Sequence, residues 1–465
     1  YFNRKKNNYR GFLLEKTFKD KKLNKVNYNN VSIDSNVIKK NDLFFAIKGK
    51  RNDGHNFVNQ AIKKGAIKSI ISKNLRSLPR DKFIKVNDTF MSLNNLAKIT
   101  RENTSADIVG ITGSVGKTTL KNLIGFSLKN YGKVYCSPHS YNNKYGVPLS
   151  LSNLKENTGY GIFEIGMDKK GEINKLSNIV KPEVAVITNI SGAHFKNFNT
   201  LKDIAKAKAE IINNIVEGGT LVLNKDDRFF NFFNSLAKKR NLNIISFSKY
   251  KSADIYLLKI KKIKKNYQLK VSVKNKIFYF NIKYSMNNFI YNILACISVL
   301  FSLNIELTKM EKKFVYFNIP KGRGDMKIVK KFNKKFRFID ESYNANPLSM
   351  RSAINNMLYY KRKNGSQKFA LLGDMLELGK KSKKLHKELS AIINKSDIDK
   401  VFVYGNYIKE TFKSLSKNKK GKIFDNLTEA HNHFGNILHN NDLLMVKGSN
   451  ATGLNQFSKN IKRIN

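Results

Sequence analysis

The run "ADIVGITGSVGKTTLKNLIGFSLKN", residues 106–130, constrains the fold of this chain more than any other stretch. An apolar, β-branched segment ends in glycines and passes directly into residues of helical periodicity, so a buried strand feeds a helix. Gly113 and Gly116 let the backbone approach phosphate oxygens and aim amides at them, and the helix N-terminus favours negative charge. Lys117 is spaced to reach the outer phosphates of a nucleotide, and the Thr118 hydroxyl to bind Mg²⁺. The nucleotide loop therefore comprises Thr112, Gly113, Ser114, Val115, Gly116, Lys117, Thr118 and Thr119. The strict Walker pattern asks for glycine where Ile111 stands, so the spacing is the shorter T-G-x-x-G-K-T-T form.

Such a unit belongs in an α/β protein, and further buried-type strands alternate with helices around it. "GYGIFEIG", "EVAVITNI" and "GTLVLN" follow, separated by segments such as "LKDIAKAKAEIINNI". Residues 254–284 instead alternate apolar and polar side chains, which predicts a small antiparallel sheet appended to this central domain. A chain of 465 residues is expected to hold about three domains. The pattern divides it into a small α/β domain (1–105), the phosphate-loop domain (106–319) and a Rossmann-like domain (320–465). In the first, "NDLFFAIKG", "KSIIS" and "KFIKV" read as strands and "FVNQAIKKGA" as a helix. In the third, "FRFIDESYN", "KFALLGDM", "KVFVYG" and "NDLLMVKGS" read as strands.

Composition narrows the function classes. No run of about 18 apolar residues occurs, so stable membrane insertion is not expected. The segment "YFNRKKNNYRGF" lacks an apolar h-region and does not read as a secretory signal. The two cysteines, Cys136 and Cys296, have no ligand spacing, so neither a disulfide framework nor a cysteine zinc site is expected, and a reducing compartment fits. The formal charge of +53 invites a nucleic-acid reading. However, the lysines are spread over the whole chain alongside abundant Asn and Ile, as an AT-rich coding bias produces. No nucleic-acid-binding motif accompanies them, so no nucleic-acid partner is expected; a nucleic-acid-stimulated NTPase is the remote alternative.

Glu164 and His194 follow two of the buried strands, where ligands gather in such sheets. Each alone reads as an ordinary surface residue; together at strand ends beside the loop they point to a divalent ion. Asn292 sits in the apolar helix "FIYNILACISVL" and reads from pattern alone as a satisfied core amide. Asp340, Tyr343, Asn344 and Asn346 cluster in "DESYNANP", either a helix-capping loop or a binding loop.

Taken together, the T-G-x-x-G-K-T-T loop, Glu164, the "AHFKNF" His194 and "AKAKAEI" resemble the Mur ligase family of ATP-dependent amide-bond synthetases. The resemblance runs from about residue 31 to 455 and is of the MurF type, through "DESYNANPLSM", "LLGDMLELG", "DLFFAIKGKRNDGHNFVNQAIKKGA" and "YNNKYGVPLSL". It implies an enzyme of peptidoglycan synthesis that joins D-alanyl-D-alanine to a UDP-N-acetylmuramoyl-tripeptide through an acyl phosphate. It also implies ATP and two Mg²⁺ ions as cofactors, and a monomer in the bacterial cytoplasm. By matching position, Lys117 neutralises the moving phosphate, Thr118 and Glu164 hold one Mg²⁺, and His194 holds the second. Lys208 matches a lysine that is carbamylated in several relatives and helps to orient metal. Asn292 matches an adenine contact, while Arg323 and Asp340 match residues that close on ATP across a hinge at "IPKGRG". Asn344, Ala345 and Asn346, with Tyr343, match the dipeptide pocket. Ser32, Asp34 and Ser35 match the uridine-diphosphate region, and Asn142 and Asn143 the remaining substrate contacts. The sequence departs from the family pattern at Asn36, at Asn288 with Phe289, and at Asn450. A folylpolyglutamate synthase-like ligase is the alternative within the same superfamily.

Overall fold

The computed structural model describes residues 8–49, 52–75, 78–192, 195–264, 266–283, 289–363 and 365–463. Among them the chain forms three sheets, each covered by helices. The first has four parallel strands in sequential order, Val31–Ser32, Leu43–Phe45, Lys68–Ile71 and Phe83–Lys85. The last three are the runs read from the sequence; the first spans too few residues to show a period. Helix Tyr9–Phe18 precedes this sheet, and its Arg10 donates to the carbonyls of Ser152 (3.1 Å) and Asn153 (3.4 Å) at the end of helix Gly146–Ser152. That buried guanidinium pins the amino-terminal helix to the central unit.

The central sheet has nine strands, and its parallel part places the phosphate-loop strand Asp107–Thr112 between Tyr160–Glu164 and Val184–Ile187. Their burial on both faces explains the continuous apolar runs. Helices Lys117–Leu128 and Ile290–Ser302 pack together on one face, in the cluster that contains Leu120, Ile124, Leu294 and Ile297. Helices Glu172–Val180 and Leu201–Ala209 cover the other, around Ile173, Ile204 and Ile187. The antiparallel strands Ile255–Ile263, Asn266–Val273 and Lys276–Lys283 are present as the alternation predicts. They continue the central sheet, joined to Asn243–Ser248 through only the pairs Phe247↔Ile255 and Ser248↔Tyr256.

The third sheet contains the four strands anticipated, Lys334–Glu341, Lys368–Gly373, Lys400–Tyr404 and Leu443–Lys447, paired in parallel. Asp325–Lys331 and Lys420–Phe424 complete its two edges. Asp325–Lys331 forms a tight hairpin with Lys334–Glu341, turned by Phe332 (φ 56°) and Asn333 (φ 55°), both left-handed as a two-residue hairpin requires. Through these topologies the strand-end loops "GITGSVGKTT" and "DESYNANP" both fall at carboxyl edges of parallel sheets.

Candidate active site

The phosphate loop is held from beneath by the neighbouring strand end. Thr188 donates to the Val115 carbonyl (2.7 Å), Asn189 accepts from the Val115 amide (3.1 Å), and Ser114 accepts from the Ser191 amide (2.9 Å). Gly113 (φ 139°) and Gly116 (φ 91°) adopt left-handed backbone. A Cβ on Gly113 would lie 1.9 Å from Thr188 Oγ1, and one on Gly116 2.9 Å from Asn292 Nδ2. Both conformation and space therefore require glycine at these two positions. Helix Lys117–Leu128 starts at the loop without a side-chain cap, leaving its first amides for an anion.

Around that helix start the polar side chains converge on Glu164. Thr118 donates to Glu164 Oε2 (2.7 Å) and Asn142 to Oε1 (2.7 Å). Thr118 Oγ1 also lies 3.3 Å from Ser140 Oγ, to which Arg323 donates (3.2 Å). Lys117 curls back to the Gly113 carbonyl (2.8 Å). Lys121, one helical turn later, is 1% exposed, donates to the carbonyls of Ser137 (2.6 Å) and His139, and stands 3.9 Å from Glu164. Burial lowers the pKa of both lysines, Glu164 opposes the shift and Arg323 adds to it. Three basic side chains thus gather about the helix start with one carboxylate among them, a surplus of positive charge that suits a polyphosphate. Glu164 and Thr118 are hard oxygen donors at the mouth of a phosphate loop, a set that suits Mg²⁺ with its few protein ligands. Among the described residues no cluster of three or more His, Cys, Asp or Glu forms.

Lys208 lies on helix Leu201–Ala209 and is 1% exposed. Burial, with the Lys117 charge adding to it, pulls its amine well below the usual lysine range. Its expected companion His194 lies outside the described residues. Asn292 donates to the Gly116 carbonyl (2.9 Å), so the apolar helix presents its one amide to the phosphate loop rather than to its own core.

From the third domain, Arg323 stacks on the Tyr343 ring (4.2 Å) while reaching Ser140. Asp340 is held within the third domain: it is buried, accepts from the Ser342 hydroxyl (2.6 Å) and pairs with Lys462 of the last helix. Asn346 caps helix Pro347–Asn356 through a reciprocal bond with Ser349, so the capping reading holds for that residue. Asn344 keeps its side chain on its own loop, at the Ala345 amide (2.8 Å). Lys447, 1% exposed, fixes the loop by donating to the Asn344 carbonyl (3.0 Å) and to Glu341 (3.2 Å).

At the first domain, a cavity of about 510 Å³ is lined by Asp34, Ser35, Asn36, Phe44 and Phe57, with Tyr145 contributed by the central unit. Ser32 braces this wall by accepting from the Asp34 amide (3.0 Å). Asn142 faces Glu164, while Asn143 accepts from the Gly146 amide (2.9 Å) and shapes the turn into helix Gly146–Ser152.

Three family models match the chain in order: the Mur ligase family catalytic domain over residues 27–90, the Mur ligase middle domain over 111–300, and the Mur ligase glutamate ligase domain over 324–450. A UDP-N-acetylmuramoyl-tripeptide–D-alanyl-D-alanine ligase of Rickettsia prowazekii is 34% identical over 93% of this chain and 95% of its own. The chain belongs to the Mur ligase family. Its fold is similar to that of MurF from Acinetobacter baumannii, with a TM-score of 0.84, 25% identity and coverage of 97% and 98% of the two chains. MurF ligase from Thermotoga maritima in complex with ADP superposes with a TM-score of 0.79 at 26% identity, covering 93% of this chain and 98% of that one.

Several residues of this Mur ligase site escaped the sequence reading. Lys121 carries the clearest missed signal: it follows Lys117 by four residues in "KTTLK", hence on the same helix face. Ser140, Thr188 and Asn189 carry none, because strand and loop ends meet only in the folded sheet.

Proposed function

We propose that this chain joins D-alanyl-D-alanine to a UDP-N-acetylmuramoyl-tripeptide with ATP as the energy source. The observation that carries the reading is the convergence of Thr118, Ser140, Asn142 and Arg323 on or beside Glu164, with the "SYNANP" loop brought to the same cleft by Arg323. The cavity at Asp34 and Ser35 would take the uridine diphosphate, and the phosphate loop the triphosphate of ATP. Asn292, through its hold on Gly116, would set the loop against the adenine side.

In the first step a carboxylate oxygen of the tripeptide attacks the γ-phosphorus and ADP leaves. In the second the dipeptide amine attacks the acyl carbonyl, a proton is lost from nitrogen, and phosphate leaves. Lys117 and the loop amides compensate charge on the transferring oxygens, and Arg323 adds to this from the third domain. Thr118 and Glu164 would hold Mg²⁺, which supplies charge neutralisation between phosphate groups when bound. His194 and a carbamate on Lys208 would serve a second ion. Burial shifts Lys208 toward its neutral amine, the form that can attack CO₂, forming an N–C bond and releasing one proton. We place the reaction in the bacterial cytoplasm with the protein a monomer.

The decisive assay supplies ATP with both substrates and then omits each in turn. Phosphate release and a product of tripeptide plus dipeptide mass less one water are expected only with all three present. Turnover with a folate and glutamate instead would overturn the assignment.

A further inference from the structure

The third domain meets the central one a second time, away from the hinge. Phe195 packs against both hydrophobic cores, the central one around Ile187 and Ile204 and the third-domain one around Met375 and Leu378. The Lys196 amide donates to the Glu377 carbonyl (2.8 Å). The Lys381 ammonium donates to the Asn199 carbonyl (2.7 Å) and stands 4.1 Å over the Phe195 ring. Gly379 (φ 55°) lets the two backbones meet, since a Cβ there would lie 3.2 Å from Lys196 Cα.

Each side of this contact is fixed within its own domain. Asn197 donates to the Asp168 carbonyl (2.9 Å), and Phe198 is buried in the central core. Across the contact, the Met375 amide donates to the buried His386 (2.9 Å) and the Leu376 amide to Ser449 (3.0 Å). The central segment leads directly into helix Leu201–Ala209, which carries Lys208. The third-domain segment continues strand Lys368–Gly373 of the sheet that carries the "SYNANP" loop.

We infer that Lys381 is a positioning residue for the ligase reaction, the moving half of a latch whose keeper is Phe195–Asn199. The inference rests on the function proposed above. Arg323, in the "IPKGRG" segment, reaches Ser140 and makes one contact between the third domain and the central one. The latch makes a second, so the two contacts together set the angle at which the "SYNANP" loop faces the phosphate loop. One cation–π contact, two hydrogen bonds and the packing of a single partly buried ring, Phe195, are together weak enough to open in each catalytic cycle, as product release requires.

The test uses full-length enzyme with Lys381→Met, which keeps the aliphatic stem, Lys381→Arg, and Gly379→Ala. Lys381 is exposed, so its replacement leaves the folded cores intact. Lys381→Met is expected to lower kcat about tenfold with KM for ATP within about twofold, because positioning rather than nucleotide binding is lost. Lys381→Arg should restore kcat to within about threefold, since a guanidinium also donates and stacks on an aromatic ring. Small-angle scattering of the complex with a non-hydrolysable ATP analogue should give a larger radius of gyration for Lys381→Met and Gly379→Ala than for the parent. Parental kcat in Lys381→Met, or a lowered kcat with the parental radius of gyration, overturns the latch. A parent inactive on these substrates would refute the proposed function instead, and the scattering comparison would still decide the latch.

Discussion

Burial sets the chemistry of Lys208. A lysine whose folded pKa lies below its unfolded value destabilises the fold at neutral and lower pH, and that cost fades only as pH climbs toward the unfolded pKa. Lys208→Met keeps the stem and removes the buried amine. Its melting temperature should equal or exceed that of the parent from about pH 6 to about pH 8, with the advantage larger at the acid end. Ligase rate should nevertheless fall by about ten- to a hundredfold, as loss of a metal-orienting group does. Bicarbonate added to CO₂-stripped enzyme should raise the rate of the parent and leave Lys208→Met unchanged. A variant with the parental rate would remove Lys208 from the mechanism. At Gly116 the argument is steric: a side chain must both adopt φ 91° and displace Asn292. Gly116→Ala should weaken ADP binding at least about tenfold by calorimetry, the equivalent of about 1.4 kcal/mol and within the cost of a left-handed non-glycine residue.

Among the elements, the hairpin Asp325–Lys331/Lys334–Glu341 forms one edge of the third sheet and carries an unusual charge arrangement. Asp325 and Asp340 stand opposite each other in its register, and Lys462 pairs with Asp340. Burial pushes the Asp325 carboxyl up to about 6; Lys462 opposes the shift and Asp340 adds to it. A carboxyl raised above its unfolded value contributes stability that is complete below about pH 4 and lost as pH rises through about 6. Asp325→Asn removes that dependence while keeping an oxygen for the Gly322 amide (2.9 Å). The variant should therefore be more stable than the parent at about pH 7.5, by up to about 3 kcal/mol in urea unfolding, and indistinguishable near about pH 4. An equal difference at both pH values would show that Asp325 stays ionised in the fold. The same hairpin shows where sequence legibility ends. Strands buried on both faces, such as Asp107–Thr112 and Tyr160–Glu164, announce themselves as apolar runs, and glycines with left-handed φ punctuate their loops. Edge strands such as Asp325–Lys331 ("DMKIVKK") and Lys420–Phe424 ("KGKIF") carry lysines among their exposed positions and lack the apolar run that marks the buried strands. Thr118 was legible as a phosphate-loop residue and Glu164 as a strand-end residue. Ser140 was not, because its role arises from a turn that Lys121 holds in place through the neighbouring carbonyls.

For the whole molecule, the formal charge of +53 remains after every motif has been assigned. Its even spread fits compositional drift, yet a field acts on ligands whatever its origin. ATP and a uridine-diphosphate sugar are both polyanions, and in the cleft Lys117, Lys121 and Arg323 outnumber Glu164. Long-range attraction among exposed charges is screened beyond about 8 Å at physiological salt, whereas the half-buried Lys117 of the phosphate loop and the buried Lys121 one turn on are less open to that screening. The two contributions therefore separate in steady-state kinetics. Raising KCl from about 0.05 M to about 0.5 M should lower kcat/KM for ATP about tenfold through capture, with kcat held within about twofold. Lys→Glu changes at exposed lysines far from the cleft, such as Lys259 and Lys261 on the antiparallel strands, should flatten the salt dependence of kcat/KM without changing kcat. A kcat/KM independent of salt would mean that nucleotide capture depends only on the cleft and that the distributed charge plays no part in binding.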